Sequence, residues 1–309
     1  IETALLSYLN AEIKFTTAAK RMTDVKPELP IMEFGARRAD GIEAAVLASK
    51  CAVIGGCVGT SNVLAGQKYN LKIMGTMAHS LVTEAENEYE AFLKYAKAYP
   101  ENTVFLVDTY DTLRSGIPNA IKVAQEYLTP NGYPFKGIRI DSGDLAYLSK
   151  EARKMLDEAG YKDTQICVSN GIDPHTLQSL LNQGAPIDSI GAGDNIAAPK
   201  ERVGCVYKLV AIEENNKIMP KIKISDDALK TINPGFKKVY RFYSKETGYA
   251  LGDLIASHDE EIEEDSYTLI DPLNELNQTT ITNYNVRPLQ TPIFINGSLV
   301  YEDPEVTEK

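Results

Sequence analysis

Residues 137–173 read GIRIDSGDLAYLSKEARKMLDEAGYKDTQICVSNGID, and they hold one complete α/β unit. The short apolar run 137–140 (GIRI) reads as a strand that ends in the polar turn Asp141-Ser142-Gly143-Asp144. The amphipathic stretch 144–159 then reads as a helix. Residues 164–168 (TQICV) read as the next strand, which ends in Ser169-Asn170-Gly171-Ile172-Asp173. Strand, helix and strand in this order imply parallel neighbours joined by a crossover helix. The unit recurs on both sides. Upstream, 31–34 (IMEF), 52–56 (AVIGG), 71–75 (LKIMG) and 103–107 (TVFLV) read as strands, as does 187–191 (IDSIG) downstream. Helical stretches 80–99, 113–128 and 174–182 lie between them. Seven such strands in about half the chain suit a closed or nearly closed α/β barrel better than an open sheet.

The pattern differs at both ends. Residues 1–30 read as a helix and linker into the barrel: Ala4, Leu5, Leu6, Leu9, Ile13 and Phe15 recur at roughly helical spacing, and Pro27 and Pro30 close the segment. The barrel region is expected to span 31–203. Beyond it, CVYKLVAIE, KIMPKIKIS, KKVYRFYSK and GYALGDLIA are strands without intervening helices, so 204–309 reads as a mostly antiparallel flanking domain. Residues 293–301 form a hairpin signal, with Asn296-Gly297 as a type I′ turn. The acidic run 259–265 is most simply a solvated loop or helix surface.

Composition narrows the function. The 309 residues carry 32 basic and 43 acidic side chains, a formal charge of −11, which argues against binding nucleic acid or an anionic membrane. A hydrophobic fraction of 43% with 24% charged residues is that of a globular chain. No apolar run approaches the ~20 residues of a membrane span. The opening Ile1-Glu2-Thr3 has no Met, basic n-region or apolar h-region, so no signal peptide is expected in these residues. Cys51, Cys57, Cys167 and Cys205 form no CxxC pair, so they are expected to be buried thiols in a reducing cytoplasm.

Nearly every expected strand ends in Gly with polar or charged residues. Besides the two turns above these are Glu33-Phe34-Gly35-Ala36-Arg37-Arg38, Gly59-Thr60-Ser61-Asn62, Gly75-Thr76-Met77-Ala78-His79-Ser80, Asp108-Thr109-Tyr110-Asp111 and Gly191-Ala192-Gly193-Asp194. One such loop is an ordinary helix-capping turn. Seven opening on the carboxyl face of one parallel sheet argue for a polar ligand there. Gly-rich turns into helices suit phosphate, and Arg37, Arg38, Arg139 and Arg202 offer fork-shaped cations. Asp108, Asp111, Asp141, Asp144 and Asp173 could take sugar hydroxyls or a hydrated Mg²⁺. The residue chemistry alone indicates an enzyme acting on a phosphorylated sugar.

EFGARRADG (33–41), GGCVGTSNVLAG (55–66), GTMAHS (75–80), DTYDT (108–112), GIRIDSGDL (137–145), SNGID (169–173), VYKLVA (206–211) and PKIKIS (220–225) resemble the nicotinate phosphoribosyltransferase family, colinearly over nearly the whole chain. The resemblance implies an irregular α/β barrel of the type II phosphoribosyltransferase kind with a β-rich flanking domain, acting as a homodimer. It implies joining of nicotinate to 5-phosphoribosyl-1-pyrophosphate, giving nicotinate mononucleotide and pyrophosphate, with ATP as co-substrate and Mg²⁺ as cofactor. His79 matches the histidine that ATP phosphorylates, Phe34 the aromatic that stacks on the pyridine, and Arg37 a ligand of the sugar pyrophosphate. Arg38 is either a second such ligand or a salt-bridge partner. Arg139 is matched to the nicotinate carboxylate. Asp141 and Asp144 are matched to ribose hydroxyls or Mg²⁺, and Ser169, Asn170, Gly171, Gly193 and Arg202 to the 5′-phosphate. For Arg202 a solvent-exposed role is the alternative, and for Asp108 and Asp111 helix capping. His175 and His258 carry no assignment.

Ser61 bears on the choice of substrate. Nicotinamide-using relatives carry Asp there; an aspartate accepts from the neutral amide but repels a carboxylate, to which serine can donate, and Thr76 adds a second hydroxyl. The rivals are a nicotinamide or quinolinate phosphoribosyltransferase and a non-catalytic barrel fragment. Two departures from the family pattern matter. The family's N-terminal segment, with a tyrosine that reaches the partner's site, and its C-terminal part are expected to lie outside this sequence. Asp194 stands where many members have Thr, and a carboxylate beside a phosphate needs Mg²⁺ or Arg202 to neutralise it.

Overall fold

The computed structural model describes residues 1–201, 203–224, 226, 233–262, 265–302, 304 and 306. The chain divides into two compact units, one of Ile1–Cys205 joined by the chain's last residues, the other Val206–Asp303.

The first unit is built on six strands, all parallel: β1 Ile31–Glu33, β2 Gly59–Thr60, β3 Val104–Leu106, β4 Gly137–Ile140, β5 Gln165–Ser169 and β6 Ser189–Ala192, in the order β2-β1-β6-β5-β4-β3. Its core is continuous from sheet to helices. Ile138, Ile140, Ile166, Val168 and Ile190 pack with Phe92, Ile117, Leu128, Leu156 and Leu177, every one fully buried. Each such side chain contributes about 1.5–3 kcal/mol through burial alone. Among the described residues no pairing joins the end strands β2 and β3 to each other.

Two expected strands are absent. Residues 52–56 lie at the end of a helix, α2 (Ile42–Ile54), not in a strand. An all-apolar run cannot be told from a buried helix by periodicity, and here the Ala-rich stretch before it extends the helix. The run ends at Gly55, where a Cβ would come within 2.6 Å of Ala19 Cβ on α1 (Glu2–Thr23). Residues 71–75 supply only one parallel bridge, Ile73 to Thr60. The expected helix 80–99 is two helices, α4 (His79–Glu84) and α5 (Glu88–Ala98), and 113–128 is an α-helix (Ile117–Val123) flanked by π-helical turns.

The second unit is antiparallel. Its largest sheet joins Ala250–Ser257, Lys237–Ser244 and Tyr284–Pro288, and its Phe242 and Tyr284 form a buried cluster with Ile281 of the strand Asn274–Thr282. The hairpin Phe294–Ile295 to Ser298–Leu299 turns through Asn296 and Gly297, both at positive φ (50° and 79°), as a type I′ turn requires. Among the described residues no helix is long and apolar enough to cross a membrane.

Candidate active site

The carboxyl ends of the strands surround a cavity of about 530 Å³ in the first unit, lined by polar turns from every strand of the sheet except β3, which contributes Leu106. Capping residues explain why these turns hold their shape. Asn62 accepts from Ala65 N, Asp144 from Tyr147 N at 3.0 Å and Asp173 from Thr176 N at 2.6 Å, so each helix leaves its strand end with a backbone donor satisfied. Asp111 accepts from Leu113 N and Arg114 N, which is a capping duty. Asn170 sits at φ +89° ahead of Gly171 at +62°, a left-handed pair that asparagine and glycine tolerate where most residues would not.

Arg139, on β4, is the hub. Its Nε donates to Ser169 Oγ (2.8 Å), Nη1 to Thr76 Oγ1 (2.9 Å) and Nη2 to Asp141 Oδ1 (2.7 Å). A guanidinium has five N–H donors, so two remain for a ligand, the number a carboxylate takes bidentately. Its Cζ lies 5.3 Å from the Phe34 ring centroid, in cation–π range. Phe34 in turn lies against Gly191, where a Cβ would come within 2.6 Å of the ring carbons, so only glycine leaves room for the ring.

Asp141 is half-buried. Burial pushes its carboxyl up, but the Ser169 hydroxyl and the Arg139 guanidinium outweigh it and hold the group below the usual carboxylate range. A carboxyl depressed in the folded state contributes stability above its unfolded pKa and loses it as pH falls through the folded value. The melting temperature should therefore drop more steeply below about pH 4 in the unaltered protein than in Asp141→Asn, measured by thermal shift across pH. Parallel curves would contradict this.

His79 opens α4. Its Nδ1 lies 3.0 Å from Thr109 Oγ1, and Nε2 lies 3.8 Å from Asp108 Oδ1 and 3.7 Å from Asp141 Oδ2. Asp108 Oδ2 accepts from Asp141 N (3.1 Å) and Ser142 Oγ (2.5 Å) and so pins the β4 turn, while its buried Oδ1 has no hydrogen-bond partner. Helix capping, the alternative reading for Asp108, is not its role here. Arg37 is exposed at the rim with no hydrogen bond or ion pair among the described residues, whereas Arg38 Nε pairs with Asp194 Oδ1 at 2.7 Å. Arg38 is thus the salt-bridge partner, and it is Arg38 that neutralises Asp194. Arg202 lies outside the described residues.

Phe34, Arg37, Ser61, Thr76, His79, Arg139, Asp141, Ser169, Asn170, Gly171 and Gly193 all line the one cavity. Asp144 does not: its carboxylate caps α7 (Leu145–Glu158). Asp141 and Asp144 are not gathered into one site for Mg²⁺: Asp141 lines the cavity, whereas Asp144 lies outside it and caps its helix. Among the described residues no three His, Cys, Asp or Glu side chains are grouped to hold a metal. Cys167, in the middle of β5, lines a second cavity of about 710 Å³ toward the strands' amino ends, and burial pushes its thiol up, so it is not a nucleophile of this site. Sequence reasoning gave no role to Thr109 or to Glu33. The signal for Glu33 was a charge inside the apolar run IMEF, a position that demands partners.

Residues 29–258 match the nicotinate phosphoribosyltransferase (NAPRTase) family, and 236–309 match the nicotinate phosphoribosyltransferase C-terminal domain. The chain belongs to the nicotinate phosphoribosyltransferase family. It is 45% identical to the nicotinate phosphoribosyltransferase of Bacillus subtilis over 100% of this chain and 63% of that protein, and 34% identical to that of Dictyostelium discoideum over 99% and 61%. The chain thus spans less than two thirds of those relatives' length. Human nicotinic acid phosphoribosyltransferase superposes with a TM-score of 0.83 at 28% identity, covering 99% of this chain and 68% of the human one. Nicotinate-nucleotide pyrophosphorylase from Pyrococcus furiosus superposes with 0.74 at 26% identity, covering 99% and 69%. The segments GTMAHS and GIRIDSGDL, both within the matched residues 29–258, carry His79, Arg139 and Asp141 to this mouth.

Proposed function

We propose that the protein is a nicotinate phosphoribosyltransferase. The observation that carries this is Arg139: one guanidinium with two N–H groups not engaged among the described residues, 5.3 Å from the Phe34 ring centroid, in the cavity that also holds His79 and Arg37. Such a site binds a flat aromatic acid next to a polyanion. Nicotinate lies against Phe34 with its carboxylate on Arg139. Its ring nitrogen attacks C1 of phosphoribosyl pyrophosphate; the N–C1 bond forms as the C1–O bond breaks, and pyrophosphate departs with the electron pair. Arg37 meets the pyrophosphate, the Ser169-Asn170-Gly171 turn and Gly193 take the 5′-phosphate, and Asp141 faces the positive charge that develops at C1.

ATP is the co-substrate: a ring nitrogen of His79 attacks the γ-phosphoryl group, ADP leaves, and water later releases phosphate from the phosphohistidine. Thr109 holds the ring in place for that attack. A Mg²⁺ would enter with the sugar pyrophosphate rather than from a dedicated protein site, and would lower the negative charge that Arg37 meets. The reading extends to an irregular barrel of the type II kind with the antiparallel unit as its flanking domain, to a homodimer, and to the cytoplasm.

Pyrophosphate release that requires both nicotinate and phosphoribosyl pyrophosphate is the result expected; release independent of nicotinate would contradict the proposal. Ser61 carries acid preference. Ser61→Asp should shift the nicotinate-to-nicotinamide ratio of kcat/KM toward the amide by roughly ten- to a hundredfold, because a carboxylate would face a carboxylate. An unchanged ratio would remove Ser61 from the specificity argument.

A further inference from the structure

Glu33 is entirely buried, on β1, between the turns that carry Phe34 and Ser61. Its Oε1 accepts from Gly35 N, and its Oε2 accepts from Ser49 Oγ (2.9 Å) and Thr60 Oγ1 (2.5 Å). Its backbone oxygen accepts from Ser61 N at 2.9 Å. Thr60 Oγ1 continues the chain by accepting from Asn62 N at 2.9 Å. A fully buried carboxylate with three donors is a costly feature to keep in a core, and apolar residues would fill that space without the desolvation penalty. What the network accomplishes is to join the turn after β1, the turn after β2 and α2 (through Ser49) around one group.

We propose that Glu33 is the positioning residue of the pyridine subsite: acting through Gly35 and Thr60, it fixes Phe34 and Ser61 relative to each other and thereby sets the preference for the acid over the amide. This rests on the nicotinate reading above. Phe34 is held directly before Gly35, whose N–H the carboxylate takes, and a Cβ at Gly35 would meet Glu33 Oε1 at 2.9 Å. Ser61 directly follows Thr60 and is held by its own N–H on the Glu33 backbone oxygen. Among the described residues His79 and the Ser169-Asn170-Gly171 turn make no hydrogen bond to Glu33, Ser49 or Thr60, so the 5′-phosphate and phosphoryl-transfer side lies off this network.

Thr60→Val keeps the shape and removes the hydroxyl, Thr60→Ser restores it, and Glu33→Gln keeps the shape while giving the amide one donor too many. In the full protein, Thr60→Val and Glu33→Gln should raise KM for nicotinate roughly tenfold and lower the nicotinate-to-nicotinamide ratio, with KM for phosphoribosyl pyrophosphate within about twofold. Thr60→Ser should return both values toward those of the unaltered protein. A parallel loss in kcat and in both KM values, or unchanged selectivity in a folded variant, would overturn the positioning role. No mononucleotide from either pyridine with the unaltered protein would overturn the underlying reading instead, so the two failures are distinct.

Discussion

His79→Ala is expected to reduce ATP hydrolysis to the level of the blank. No other histidine lines the cavity, and the hydroxyl and carboxylates around the ring, Thr109, Asp108 and Asp141, cannot take its place as a nitrogen nucleophile. The second part of the effect is energetic coupling. If the phosphorylated ring favours the sugar pyrophosphate, its loss should weaken that ligand by the usual range of coupling energies, about 5- to 150-fold. The pyridine side should survive, because Arg139 and Phe34 make no hydrogen bond to His79. Nicotinate binding followed by saturation-transfer NMR should therefore change little. Retained ATPase in a folded variant would remove His79 from the phosphoryl-transfer role.

Arg139→Lys should be the most damaging change on the pyridine side. A lysine ammonium offers three donors on a single atom, whereas Arg139 spreads three contacts over three nitrogens and keeps two more N–H groups for a ligand. One ammonium cannot bond Ser169, Thr76 and Asp141 and also grip a carboxylate from both sides. The expected loss is about 2–4 kcal/mol of acid recognition, roughly 30- to 1,000-fold in kcat/KM for nicotinate. The cation–π contact with Phe34 is lost or displaced as well. Nicotinate kinetics within a few-fold of the unaltered protein would place the carboxylate elsewhere.

The site was more legible in the sequence than the fold around it. GTMAHS and GIRIDSGDL carry His79, Arg139 and Asp141, which line the cavity, as contiguous stretches, and a polar cluster at the end of an apolar run marks a strand's carboxyl end whatever the sheet does next. AVIGG misled because apolar residues on every side look the same in a buried helix and a buried strand. LKIMG contributes one bridge rather than a strand because pairing depends on a neighbour's register, which no local pattern encodes. Asp144 and Asp141 are three residues apart in one motif, yet the backbone gives the first to a helix N-terminus and the second to Arg139. Arg38 and Asp194 lie far apart in sequence, and only the adjacency of β1 and β6 makes them an ion pair. Glu33 shows the same limit: its charge was visible, but its three donors come from Gly35, Ser49 and Thr60 on three different elements.

The central claim is that this mouth takes a pyridine acid onto Arg139 and joins it to an activated ribose phosphate. The protein should be incubated with phosphoribosyl pyrophosphate, Mg²⁺ and ATP, with nicotinate in one reaction and nicotinamide in another, and the products identified by mass spectrometry. Nicotinate mononucleotide from the first reaction and little or no nicotinamide mononucleotide from the second is the predicted result. Nicotinamide mononucleotide as the main product, or no mononucleotide from either reaction, would contradict it.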